Sequence, residues 1–160
     1  MRYMALLVFA LITAALYFQQ SIQQEAEPAQ QVVSSSVAAT AFLNYRGAVM
    51  AYMTAHPSFT GSIPSSTLTT LSGQQFSSTF LASTGNEVTA AGSGVEVTVY
   101  SALPTGALQT VMMQSGNDAS IGLSSGTTWT TSASGVVTAA QPLAVSVPSG
   151  DVVSVFEMGT

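Results

Sequence analysis

The sequence predicts an α+β chain: an N-terminal transmembrane helix, then an amphipathic helix packed on an antiparallel β-sheet. Three observations predict it. An uncharged apolar run opens the chain, a helix-period stripe follows it, and apolar residues beyond Gly85 recur at a spacing of two. The 160 residues suffice for one domain and are too few to expect two.

The first element is YMALLVFALITAALYF, Tyr3 to Phe18, uncharged and with Thr13 as its one weakly polar member. As a helix it would span about 24 Å at 1.5 Å per residue. With Met1, Gln19 and Gln20 it approaches the roughly 30 Å of a bilayer core. Tyr3, Tyr17 and Phe18 sit at its ends, where aromatic rings favour the headgroup level. Residues 1–20 therefore read as a transmembrane anchor. Arg2 precedes it and Glu25 and Glu27 follow, so the positive-inside rule keeps the short N-terminus in the cytoplasm and exports the rest. Two alternatives are a cleaved signal peptide and a buried core helix. The core ends Leu16-Tyr17-Phe18-Gln19-Gln20-Ser21, without the small-residue pair that cleavage wants; the nearest candidates are Ala26 and Ala29. A helix apolar all round at the extreme N-terminus also fits a core poorly.

Residues 21–31 form a Gln-rich linker with Pro28 inside it, and 32–160 the exported α+β domain. In Val32 to Ala55, the residues Val33, Val37, Ala41, Tyr45, Ala48 and Tyr52 recur at three and four, with Met50 and Met53 widening the stripe. His56-Pro57 stops the helix, because the residue before proline avoids the helical region. Ser58 to Ser83 reads as loop, with room for a short helix near Leu68 to Leu71. Val95, Val97 and Val99 alternate with Glu96, Thr98 and Tyr100, a strand with one solvated face. Further strands are expected at Leu108 to Gln114, Ile121 to Leu123, Thr127 to Thr131, Val136 to Ala139, Leu143 to Val147 and Val152 to Glu157. Pro148-Ser149-Gly150-Asp151 reads as a hairpin connection between the last two. The strands would form a meander covered on one face by the helix.

Composition excludes several functions. Only 6% of residues are charged, against roughly a quarter in an ordinary soluble protein. The cations are Arg2 and Arg46 alone, and the net charge is -5. A nucleic-acid partner is excluded, since neutralising phosphates takes several Lys or Arg. There is no cysteine, which removes disulfides, thiolate metal sites and cysteine nucleophiles. His56 is the only histidine, so an ordinary zinc site has no ligand set. It could act as a base, but at the end of the helix it reads as a C-terminal cap. The acids are dispersed: Glu25 and Glu27 on the linker, Glu87 and Glu96 bordering a strand. Asn117-Asp118 after Gly116 reads as a turn that tolerates left-handed geometry. No Gly-x-Ser-x-Gly lies between a strand and a helix. Trp129 reads as the centre of a small core, with stacking on a sugar or a partner as its alternative. Met112 and Met113, on a strand, would face opposite sides. No catalytic, cofactor-binding or metal-binding residue is therefore assigned, and neither an enzyme activity nor a small-molecule substrate is expected.

An apolar helix, a polar step, an amphipathic helix and an antiparallel sheet is the plan of type IV pilin-like proteins. The start differs from that of processed pilins, with Arg2 before the run and Leu7 five residues into it. The segments MRYMALLVFALITAALYF and FLNYRGAVMAYMTAHPSFTGSI, and the Gly- and Thr-rich strands ending in Phe156-Glu157-Met158, are similar to those of the PilM family of plasmid-encoded thin (type IVB) pilus systems. That family is unrelated to the cytoplasmic actin-like protein of the same name. The resemblance covers the whole chain and brings no site residues with it. It implies a single-pass inner-membrane component of the pilus-assembly or basal-body apparatus, serving conjugation or adhesion. The domain would be periplasmic and the partners other pilus-assembly or basal-body proteins. The anchor's small-xxx-small pair, Ala10 and Ala14, suits lateral helix docking, and a homo-oligomer is compatible with it. The alternative function is a minor pilin or adhesin-like binding module at the cell surface, using Trp129 and the Thr-rich strands.

Overall fold

The structure, a computed structural model, describes residues 33–131, 133 and 139–159. The expected anchor (1–20), the linker (21–31) and most of the expected strand at Val136 to Ala139 lie outside the described residues. Among those described, no helix is long and apolar enough to cross a membrane. Ser35–Thr160 form one compact unit.

Helix α1 (33–55) buries Ala39, Phe42, Tyr45, Val49 and Met53, spaced by three and four residues. From Tyr45 onward the expected stripe agrees at Tyr45, Ala48 and Met53, with Tyr52 half-buried, but Met50, expected to widen it, is 40% exposed. Before that the two differ: Val33 and Val37 are 63% and 66% exposed, and Ser35 and Ala39, two residues further on and so about 200° around the helix, are buried instead. Phe42, absent from the expected stripe, is fully buried and decides which side of the helix meets the sheet. The helix ends where expected, with the His56 N–H donating to the Tyr52 carbonyl at 2.9 Å.

The segment expected as loop, with room for a short helix near Leu68 to Leu71, contains two short helices: α2 (Ser65–Ser72), which includes that position, and α3 (Ser78–Ala82), which was not expected. Ser77 caps α3 by accepting from the Phe80 N–H. Strand β1 (Thr84–Ala91), which the sequence reading did not assign, pairs with β2 (Gly94–Ser101) as a hairpin. Its two-residue turn has Gly92 at φ 57, the first central position where hairpin turns favour glycine.

Helix α4 (Ala107–Gln114) stands where a strand was expected. Ala107, Val111 and Met112 are buried at helical spacing, and Met113 is 64% exposed. The Met pair therefore separates by helix rotation and not by strand alternation. Gly116 and Asn117 close the helix at φ 71 and 61, and the Asn117 N–H donates to the Met112 carbonyl. The turn expected at Asn117-Asp118 is thus present, and it serves as a helix terminator.

Strands β3 (Ile121–Ser124), β4 (Thr128–Thr131), β5 (Gln141–Pro142) and β6 (Val152–Gly159) complete a six-stranded sheet in the order β1-β2-β6-β3-β4-β5. Every pair is antiparallel, yet the sheet is not a meander. The α4 excursion carries the chain past a gap beside β2, and the C-terminal strand fills it. With neighbours on both edges and cover on both faces, β6 buries Val152, Val153 and Ser154 in succession.

Leu143 to Val147 is irregular, not a strand. Its alternation is nonetheless real packing: Leu143, Val145 and Val147 join Trp129, Val153, Tyr100 and Val155 in a second apolar cluster. The Pro148–Asp151 turn forms, with the Asp151 N–H donating to the Pro148 carbonyl, but it joins this cover to β6 and not two paired strands. The face of β2 expected to be solvated is accordingly partly covered, with Thr98 at 1% exposed.

Candidate functional site

Two polar constellations lock α1 and the loops onto the sheet. The first is centred on Asn86 of β1, 3% exposed. Its side-chain oxygen accepts from the Ile63 N–H at 2.7 Å. Its amide donates to the Ile63 carbonyl at 3.0 Å and to the Tyr45 hydroxyl at 2.7 Å. The side chain imitates a strand neighbour for Ile63, next to the Gly61–Val88 bridge. All its polar atoms find partners, as burial requires. Burial raises the Tyr45 hydroxyl above its ordinary pKa, against the opposing effect of the Asn86 hydrogen bond.

The second is centred on Arg46 of α1. Its Nε donates to Ser154 Oγ at 2.7 Å, and one terminal nitrogen donates to Asp118 Oδ2 at 2.7 Å and Ser120 Oγ at 2.9 Å. The guanidinium also lies 5.8 Å from the centroid of the Phe156 ring. Burial alone would raise the Asp118 carboxyl. The Ser120 N–H and hydroxyl and the Arg46 charge outweigh it and hold the carboxyl below its usual range. A guanidinium stays protonated and cannot serve as a base. The two serine hydroxyls face that cation and not an imidazole, so the set works as a strut between α1, β6 and the loop before β3.

A third feature is the outer side of α1. Ser36, Val37, Thr40, Ala41, Asn44, Gly47, Ala48 and Ala51 form one wall of a groove whose other wall is Leu71, Ser72, Gln74 and Gln75. The Asn44 amide donates to Gln74 Oε1 at 2.7 Å and divides the groove into two recesses. Among the described residues, no charged one lines either recess.

A family model described as PilM matches residues 8–155. The chain belongs to the PilM family. Among solved structures it is similar to the crystal structure of a protein described as PilM from Escherichia coli B7A. The two share 16% identity over 79% of this chain and 94% of that one, with a TM-score of 0.53. At that identity the likeness shows a shared fold. No curated protein matches the chain.

Within this PilM family member, the residues singled out from sequence do not converge. His56 is exposed at the end of α1, its ring 4.5 Å from that of Tyr52. Trp129 is 4% exposed at the centre of the second cluster, the core role expected of it. Glu87, Glu96 and Glu157 share the sheet face turned away from α1, because the register sets Glu96 opposite Glu157 and Glu87 opposite Thr98. One Glu96 oxygen accepts from the Ala144 N–H at 3.1 Å. Among the described residues no three His, Cys, Asp or Glu gather to hold a metal. Glu25 and Glu27 lie outside the described residues. Sequence reading missed Arg46, Ser120, Ser154 and Asn86 as partners. The available signal was that Arg46 is one of two cations, on a helix that must cover a sheet. A lone cation on such a helix needs an acid from elsewhere in the chain.

Proposed function

We propose that the chain is a non-catalytic structural component of a thin (type IVB) pilus assembly apparatus. In this reading residues 1–20 hold it in the inner membrane and the α+β domain stands in the periplasm, where it contacts other assembly or basal-body proteins. The observation that carries the reading is the PilM family match over residues 8–155, nearly the whole chain. The apolar run at Tyr3 to Phe18 supports the anchor. The polar constellations support a structural role, since their side chains are spent on joining elements to one another. The adhesin-like alternative loses the side chain it relied on, because Trp129 is buried.

The test is complementation of a strain lacking the gene, with pili counted and cell fractions probed. The full chain is expected in the inner-membrane fraction and restores pili, whereas a chain exported by a cleavable leader in place of residues 1–20 becomes soluble and restores none. Normal pili from the soluble form would overturn the anchoring role. Pili unaffected by loss of the gene would overturn the assembly role.

A further inference from the structure

We propose that the open edge of β6 between Val155 and Gly159 takes an extended segment of another protein as an added strand, one in which apolar and basic residues alternate. The two outer edges of the sheet are obstructed. On β1, Gly61 exchanges two hydrogen bonds with Val88. On β5, the Leu143 N–H turns inward to the Thr127 carbonyl, so Pro142 faces outward and offers no donor. The edge of β6 is different, because β3 pairs with it only as far as Ser154. The Val155 N–H donates to the Ser120 carbonyl, and the Asp151 carbonyl accepts from the Ser124 N–H. Odd-numbered residues of β6 therefore direct their backbone groups to the β3 side, and even-numbered ones to β2. The Ser120 N–H is spent on Asp118 Oδ1, where the chain turns away from the sheet. Among the described residues, nothing then pairs with the Val155 carbonyl, either backbone group of Glu157 or the Gly159 N–H. Glu157 and Gly159 are both exposed.

This row of backbone groups selects a strand, since added strands bind through main-chain hydrogen bonds. The side chains select which one. Paired antiparallel, like every other strand of this sheet, the residue opposite Glu157 shares its face and turns its own backbone groups to it. Glu157 stands on the face away from α1, beside Glu96 of β2. Two carboxylates set opposite each other repel, and a Lys or Arg opposite Glu157 relieves that. Phe156 and Met158 point to the other face and pack on the core under α1, so the residues opposite them meet apolar surface. A second copy of this chain is a poor source of the cation: of its two, Arg46 is engaged by Asp118, and Arg2 precedes the apolar run. Edge-to-edge pairing of two copies would also bring their Glu157 carboxylates together. This inference is independent of the pilus reading.

The probe is a fluorescein-labelled peptide of alternating Val and Lys, added to the full-length chain in neutral detergent micelles. Without peptide, amide exchange followed by nuclear magnetic resonance should be fast at Glu157 and Gly159 and slow at Phe156 and Met158, which face β2. The peptide should slow exchange at Glu157 and Gly159. N-methylation of its Lys amides, which face β6 in this register, should abolish binding measured by fluorescence anisotropy, whereas N-methylation of its Val amides should not. Gly159→Pro removes a donor from the open edge and leaves the β2 ladder intact, and a Cβ there meets no atom within 4 Å. Glu157→Gln removes the charge. Each variant, checked for native folding by circular dichroism, should bind several-fold more weakly. Glu157 and Gly159 amides already protected in the free chain would overturn the proposal. So would no binding, equal binding of a Val–Glu peptide or of the Lys-methylated one, or unchanged binding by both variants. Protection that grows with protein concentration alone would assign the edge to a second copy and overturn it too.

Discussion

On one face of the sheet, α1 lays Phe42, Tyr45, Val49 and Met53 into a core with Val88, Val95, Val97 and Val99. On the other, the irregular Leu143–Val147 segment brings its alternate side chains onto Trp129 and Val153. A helix satisfies its own backbone and can slide or rotate as a unit. The irregular cover cannot, so its N–H groups are met one by one: Leu143 by the Thr127 carbonyl, Val147 by that of Gly126, and Ala144 by the Glu96 carboxylate. The first face thus depends on side-chain volume and on the side-chain hydrogen bonds of Tyr45 and Arg46, and the second on volume together with hydrogen bonds to the backbone of its cover. A solvated strand face and a face covered by such a segment carry the same alternation in sequence.

Substitutions can break or sharpen this contrast. Phe42→Ala, which empties a fully buried site under α1, is expected to cost about 3–5 kcal/mol, read as a lowered denaturant midpoint. Trp129→Ala should cost about 3 kcal/mol, the low end of that range, because the irregular cover can settle into the space. Hydrogen exchange after Trp129→Ala should quicken at Leu143 and Val147 while α1 stays protected; uniform loss of protection would refute independent covers. Asn86→Ala leaves the buried Ile63 N–H and carbonyl without their partner and should cost about 1–3 kcal/mol.

The two smallest effects concern two acids and have opposite signs. Asp118 has a lowered folded pKa, so its contribution is present above the unfolded value, about 3.9, and is lost as pH falls through the folded one. Asp118→Asn should lower the melting temperature at pH 7 by the equivalent of up to about 1 kcal/mol, with the difference closing in acid. Burial raises Asp151, so its favourable state is the protonated one, present below about 3.9 and lost as pH rises through the folded value. Asp151→Asn should raise the melting temperature at pH 7 and match the parent in acid. Thermal melts of both variants at pH 3 and pH 7 check the signs, and a destabilised Asp151→Asn at pH 7 would contradict the burial argument.

Local sequence determines several elements here. The end of α1 at His56-Pro57, the β2 alternation, the short strands around Ile121 and Trp129, and the Gly116-Asn117 turn all follow from side chains a few residues apart. Short apolar runs are ambiguous, because LQTVMM satisfies a strand or a helix equally well. The Gly116 terminator in that segment belongs with α4, a signal present in the sequence but weaker than the apolar run. The direction of α1's buried side was legible only where Tyr45, Ala48 and Tyr52 agree with Phe42.

The sequence by itself determined an α+β chain of the PilM family, its low charge and its scarcity of reactive groups, because composition and short-range periodicity need no folded context. Tertiary structure alone decided that β6 enters between β2 and β3 and that Arg46 reaches Asp118 and Ser154. Those contacts join residues 72 and 108 positions apart, and at such separations the pairing is chosen by what the rest of the core leaves open.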